Sequence, residues 1–239
     1  MAKRSRPDIQ TAIAFLCTRV KSPDEHDWKK LGRVMKYLQL TPFLPLCRGW
    51  DRTGVVQWYV DASFAVHKDM RSHTGGLMTM GCSAIIAMST KQNINTKSST
   101  EAEIVGVDDI LNIQKWARHY LEAQYQLAGA DANRRLDKLH QDNTSAMRLE
   151  NNGKASSTKQ TRHIDIRYFF ITDRIKSGAV KVEYCPTDDM VADFFTKPLQ
   201  GSKFRTHRNT ILGVSNEEYD LYRDKYAKAK QRRSGEPID

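Results

Sequence analysis

The sequence predicts an α/β domain: a mixed sheet of about five strands flanked by helices and preceded by a helical hairpin. Three observations predict it. Two amphipathic helical patterns fill the first forty residues, three closely spaced strand patterns follow between residues 55 and 89, and from Ser98 onward helical and strand patterns alternate. Consecutive short strands make an antiparallel meander, whereas strands separated by helices add in parallel, so the two patterns together call for one mixed sheet.

Ile9, Ile13, Leu16 and Val20 recur at helical spacing over residues 7–20, with Pro7 near the start, where a helix tolerates it. Ser22-Pro23-Asp24-Glu25 reads as a capping box with Ser22 as N-cap and Glu25 at the third position. The helix behind it puts Trp28, Leu31, Val34, Met35 and Leu38 on one side. Residues 41–51, with two prolines and a glycine, form a linker. Strands are expected at 55–61, 75–80 and 83–89, and a long helix begins at Ser98 and reaches about residue 127. A loop over 129–137 leads into a strand at 136–141, helical turns at 144–150 and a Gly/Ser/Lys-rich mobile segment at 151–159. A helix at 164–175 closed by Gly178, a strand at 179–184 and a short helix at 188–195 stopped by Pro198 complete the domain. A charged helix at 219–230 lies in the tail. The expected organisation is a helical segment 1–52, an α/β domain 53–199 and a basic, partly helical or disordered tail 200–239.

A net charge of +10 points to a polyanionic partner, with nucleic acid first among them. The chain has no apolar run of membrane-spanning length, and its Met-Ala-Lys-Arg-Ser-Arg start lacks a signal-peptide core. Cys17, Cys47, Cys82 and Cys185 are scattered without close pairs, which argues for a reducing, intracellular setting and against a zinc site.

Four acids sit where hydrolytic chemistry could use them. Asp61 closes the apolar run Trp58-Tyr59-Val60, and an acid at the C-terminal lip of a buried strand lies where open α/β sheets place their sites. Alone, it reads more readily as a turn residue. Asp142 stands at a strand-to-helix junction, where an N-cap is the competing explanation. On the long helix, Ser98-Ser99-Thr100-Glu101 is a capping box that gives Glu101 a structural job, while Glu103 shares a face with Gly106, Val107 and Ile110. In Thr187-Asp188-Asp189-Met190-Val191-Ala192-Asp193, Asp188 or Asp189 starts the helix and Asp193 can face inward. The Asp188-Asp189 pair is not a polymerase palm hairpin, because Pro186 precedes it and a helical pattern follows.

Tyr59-Val60-Asp61-Ala62, Lys97-Ser98-Ser99-Thr100-Glu101-Ala102-Glu103, Gln141-Asp142-Asn143, KQTRHIDIRY at 159–168 and ADFFTKPL at 192–199 together resemble the ribonuclease H domain of copia-type retrotransposon polyproteins. The segment from Arg6-Pro7-Asp8-Ile9 to Tyr37-Leu38 resembles the piece joining the reverse transcriptase to that domain. The resemblance implies a ribonuclease H-like fold and an endonuclease that cuts the RNA strand of RNA–DNA hybrids with two Mg2+ (or Mn2+) ions. It implies Asp61 as the acid shared by both metals, with Glu103, Asp142 and Asp193 as the other metal-binding, catalytic acids. Glu103-Ile104-Val105-Gly106 fits the family's Glu, apolar, variable, small pattern, which Glu101 does not. The order Asp, Glu, Asp, Asp separates the chain from related integrases and transposases, whose order is Asp, Asp, Glu. Tyr184-Cys185-Pro186-Thr187 leaves no room for the loop histidine that many cellular relatives carry.

An RNA–DNA hybrid is gripped by its backbone and 2′-hydroxyls. Lys91, Lys97 and Arg162 are candidate phosphate contacts, with Lys154 and Lys159 on the mobile segment, although each could equally be a solvated surface cation. Ser63 and Asn143 adjoin the acids and could bond the 2′-hydroxyl or the scissile phosphate. Lys228, Lys230, Arg232 and Arg233 could add affinity that falls with salt. No polymerase palm, integrase or protease pattern accompanies the domain, so the chain is expected to be a piece of a longer polyprotein. Its partner there is the polymerase domain of the same element, in cytoplasmic virus-like particles or the nucleus. The rival expectation is a catalytically silent fragment that serves as a nucleic-acid-binding or connecting module.

Overall fold

The computed structural model describes residues 1–129, 136–152 and 165–234. It holds the expected five-stranded mixed sheet flanked by helices. The strands are β1 (Val55–Ser63), β2 (His73–Thr79), β3 (Ala84–Lys91), β4 (Leu136–Gln141) and β5 (Lys181–Tyr184), in the order β3-β2-β1-β4-β5. The first three form the antiparallel meander; β4 lies parallel to β1, and β5 parallel to β4. Two helices precede the sheet, α1 (Gln10–Cys17) and α2 (Glu25–Leu40). Then come α3 (Ser99–Leu127), α4 (Thr144–Asn152), α5 (Asp165–Lys176), α6 (Gly201–Leu212) and α7 (Asn216–Ser234). No helix among the described residues is long and apolar enough to cross a membrane.

Strand periodicity divides β1 between two cores. Val56, Trp58 and Val60 face a cluster with Ile104, Val107, Ile110 and Leu111 of α3, plus Leu139 and Ile171. The opposite face carries Tyr59 and Asp61 toward residues 190–195, where Phe194 and Phe195 pack with Leu77 and Ile211. Adjacent glycines on β2 serve the two faces. A side chain on Gly76 would collide with Ile110 of α3. One on Gly75, the register partner of Asp61, would meet Thr196 Cγ2 at 2.6 Å and the Ala192 carbonyl at 2.9 Å.

Several expectations need correcting. The N-cap of α2 is Asp24, not Ser22: its carboxylate accepts from the Asp27 amide (3.0 Å), and the Asp27 carboxylate accepts from the Asp24 amide (3.1 Å). Arg19 fixes both acids, which moves the box two residues downstream. On α2, Val34 is buried, but Trp28 (69% exposed) and Met35 (51%) are not. Residues 188–195 do not form an α-helix that starts at Asp188 or Asp189. A turn at Pro186–Asp189 is followed by one 3-10 stretch, Val191–Phe195, so the helix-dipole argument for those two aspartates lapses.

α6 went unforeseen and is part of the core: Ile211 and Leu212 are fully buried. Its N-cap, Gln200, makes no side-chain cap, and Phe204, Ile211 and Leu212 alone give a sparse apolar stripe. Gly213 ends the helix in the left-handed region, with the Val214 amide bonded back to the Asn209 carbonyl. The hairpin is stitched to the domain as well. Gln10 Nε2 donates to the Ala87 carbonyl (2.9 Å), and Thr11 Oγ1 donates to the Phe194 carbonyl (2.6 Å).

Candidate active site

β1 and β4 run in parallel, with Tyr59 paired to His140. Side chains two residues apart on a strand share a face, so the next positions on that face are Asp61 and Asp142, at the C-terminal ends of adjacent strands. The third acid arrives from the 3-10 stretch that lies on Gly75. Asp61, Asp142 and Asp193 each offer a carboxylate oxygen, and these oxygens lie within 4.8 Å of one another. Asp61 and Asp193 are each 2% exposed, and Asp142 is half-buried.

Each acid has a support. Thr196 Oγ1 donates to Asp61 Oδ2, and Lys197 Nζ lies 3.3 Å from Asp61 Oδ1. The same ammonium is 2.6 Å from Asp193 Oδ1, and Lys203 Nζ is 3.4 Å from Asp193 Oδ2. Thr187 Oγ1 donates to Asp142 Oδ2 (3.1 Å). Buried Gln141 accepts at Oε1 from the Asp142 and Asn143 amides, which fixes the turn leaving β4. The cap of α4 falls to Asn143, whose Oδ1 accepts from the Ser145 and Ala146 amides (both 3.0 Å). Asp142 is thereby free of the capping role that competed for it in the sequence.

Glu103 lies beside this group rather than within it. It is 5% exposed, its Oε2 has no hydrogen-bond partner among the described residues, and the Ala62 amide supports the charged form. Burial, then the charges of Asp61 and Asp142, push its carboxyl well above the ordinary range. Burial also raises Asp61, against the pull of Lys197 and the Thr196 hydroxyl. Burial draws Lys197 down, but Asp61 and Asp193 outweigh it and lift the ammonium to about 12. Concentrated, poorly solvated negative charge of this kind is characteristic of sites that receive cations.

Glu101 has the structural job expected of it, with one difference: its carboxylate accepts from the Lys97 amide (2.7 Å), one residue before the Ser98 cap. Among the substrate-contact candidates, Ser63 Oγ donates to the Thr196 carbonyl (3.4 Å), and Lys91 is paired with Asp69 at 2.6 Å. The Lys97 side chain is exposed. Lys154, Lys159 and Arg162, and the segment expected to be mobile from residue 153 on, lie outside the described residues. Sequence reasoning missed Thr196, Lys197 and Lys203. The first two stand in the TKP of the ADFFTKPL motif, next to an acid already singled out, so a signal was present.

The chain is homologous to retrovirus-related Pol polyproteins of transposons. It is 28% identical over 213 residues to that of transposon TNT 1-94 from Nicotiana tabacum. To that of transposon RE1 from Arabidopsis thaliana it is 32% identical over 209 residues. These matches take in 89% and 87% of the chain, which spans only 15% and 14% of the polyproteins. Among solved structures, the ribonuclease H1 LC11 isolated from compost is similar, at 11% identity and a TM-score of 0.42, over 59% of this chain and 92% of that one. No protein-family model matches the chain.

Proposed function

We propose, starting from the homology of this chain to a segment of the Pol polyproteins of copia-type transposons, that it is their ribonuclease H unit: an endonuclease that hydrolyses the RNA strand of an RNA–DNA hybrid. The observation that carries the reading is the convergence of Asp61, Asp142 and Asp193, from three separate elements, on one point at the strand ends. The donor set fits Mg2+ or Mn2+: it is made of hard carboxylate oxygens, with no thiolate or imidazole among them. Asp61, Asp142 and Asp193, with Glu103 alongside, are the residues that would hold such ions, two in the reading proposed here. Divalent ions there supply Lewis acidity toward the phosphate and the attacking water.

The chain's own contribution is placement and charge. The Thr196 hydroxyl and the Thr187 hydroxyl orient Asp61 and Asp142, and the Gln141 amide group anchors the turn between β4 and α4. The excess of basic residues suits a phosphate backbone, and Lys97, exposed at the head of α3, is a candidate contact. The polymerase domain of the same polyprotein is the partner that would share the hybrid.

Labelled RNA–DNA hybrid, duplex RNA and duplex DNA, incubated with the chain in Mg2+ or EDTA, test the reading. Cleavage of the RNA strand of the hybrid alone, dependent on Mg2+ and lost in Asp61→Asn and Asp142→Asn, is expected. Salt-sensitive hybrid binding without cleavage would identify a silent binding module instead. Cleavage that survives both substitutions would remove the acid cluster from the mechanism.

A further inference from the structure

Two buried carboxylates, Asp61 and Asp193, share one ammonium. Lys197 Nζ stands 3.3 Å from Asp61 Oδ1 and 2.6 Å from Asp193 Oδ1, bridging acids that arrive from β1 and the 3-10 stretch. Their side chains are only 3% and 2% exposed, so water contributes little to their solvation. Buried like charges at this spacing are costly unless an opposite charge is held against them. Lys203 contributes less: it reaches only Asp193, at 3.4 Å, and shares itself with the exposed Asp188 at 3.7 Å.

We propose that Lys197 is the site's tethered counter-cation, which occupies the divalent-ion position between Asp61 and Asp193 and must be displaced for an ion to bind. The inference rests on the metal-dependent reading above. An ion seated between Asp61 Oδ1 and Asp193 Oδ1 would take the space that the ammonium now fills, so ion entry there and the Lys197 contacts exclude each other. The lysine has somewhere to go. Its side chain is 39% exposed and lines a cavity of about 810 Å³ walled by Phe15 and Arg19 of the hairpin, by His67 in the β1–β2 connection and by Lys91 of β3. Withdrawal is therefore a side-chain motion, with no rearrangement of Asp61 or Asp193. The exchange makes the fold stable without metal and raises the metal concentration at which the site fills.

Titration of the purified chain with Mn2+, followed by calorimetry and by the thermal midpoint, tests this in wild type, Lys197→Met, Lys197→Arg and Lys203→Met. Lys197→Met should melt lower than wild type in EDTA, bind Mn2+ roughly tenfold or more tightly, and gain more on metal addition. Lys197→Arg should keep wild-type affinity, and Lys203→Met should shift it less than Lys197→Met. If Lys197→Met is unfolded in EDTA, Mn2+ should refold it at concentrations below the wild-type dissociation constant. Equal Mn2+ affinity in wild type and Lys197→Met, with hybrid cleavage intact, would overturn the exchange and leave the nuclease reading standing. Absence of ion binding to all four proteins, together with absence of cleavage, would overturn both.

Discussion

Tyr59 and His140 are register partners on parallel strands, and their rings stack with centroids 4.4 Å apart and planes 20° from parallel. The pair sits one side-chain step below Asp61 and Asp142 on the same face, so it packs next to the two acids across the paired strands. His140 Nε2 also lies 2.8 Å from Gln57 Oε1, which ties the ring to β1. His140→Ala removes the stack and this bond, and should cost about 1–3 kcal/mol in urea denaturation. Its hybrid cleavage should fall as well, because His140 packs on the face that carries the acids. A wild-type unfolding midpoint in this variant would show that the stack is incidental.

Gly75 and Gly106 should answer to alanine in opposite ways. A side chain at Gly75 meets Thr196, the Ala192 backbone and Phe195 at 2.6–2.9 Å, and must lift the segment that carries Asp193. Gly75→Ala should therefore cost about 1–3 kcal/mol and depress metal binding. At Gly106 the nearest atoms, on Thr74, Val60 and Ala62, lie at 3.5–3.6 Å, which is ordinary contact. Gly106→Ala should stabilise α3 by about 0.5–1 kcal/mol. Equal thermal midpoints for the two variants would refute the packing argument.

Much of this was legible in the sequence because it is encoded locally. Apolar and alternating patterns pointed to the five strands, Ser98 marked the start of α3, and the three acids that the fold brings together, Asp61, Asp142 and Asp193, stood out by context and motif. What escaped depended on tertiary contact. The capping competition at Asp142 was decided by Asn143, whose amide side chain won a geometry that either residue could have satisfied. Trp28 and Met35 continued an apolar stripe that only Val34 and partly buried neighbours complete. The helix at Gly201–Leu212 has no side-chain N-cap, and part of its burial comes from partners more than a hundred residues away, such as Leu77.

Thr196 gives a sharper test of the site than the acids themselves. Its hydroxyl donates to Asp61 Oδ2, while its methyl carbon packs over Gly75. Thr196→Val keeps the shape and removes the donor. Loss of such a supporting bond to a metal ligand typically lowers metal affinity or activity by about 10–100-fold. Thr196→Ser, which retains the hydroxyl, should recover most of that loss in Mn2+ titration and in hybrid cleavage. Equal affinity in Val, Ser and wild type would mean that the Thr196 hydroxyl does not hold Asp61 for the ion.

Glu150 makes the pH dependence of stability predictable. It is fully buried on α4 beside the Gln141 side chain that anchors the Asp142 turn, and among the described residues its carboxylate oxygens make no hydrogen bond of good geometry, the Gln141 amide being only a weak neighbour. Burial pushes its carboxyl up to about 8 from an ordinary 4.5, and the Gln141 amide only partly offsets this. Below pH 4.5 the folded and unfolded chains both hold the proton. Between 4.5 and 8 the unfolded chain releases it and the folded chain keeps it, so stability falls as pH rises through this window and levels off above it. The full loss amounts to at most about 5 kcal/mol. Glu150→Gln keeps the volume and removes the titration. Urea midpoints at pH 5.5 and 8.5 (about one pH step inside the lower bound and just beyond the upper one) should therefore diverge between wild type and variant. The variant should gain at the higher pH, because every other titrating group is common to both proteins. Parallel pH profiles would mean that Glu150 finds a cationic partner in the folded chain and is already charged at neutral pH.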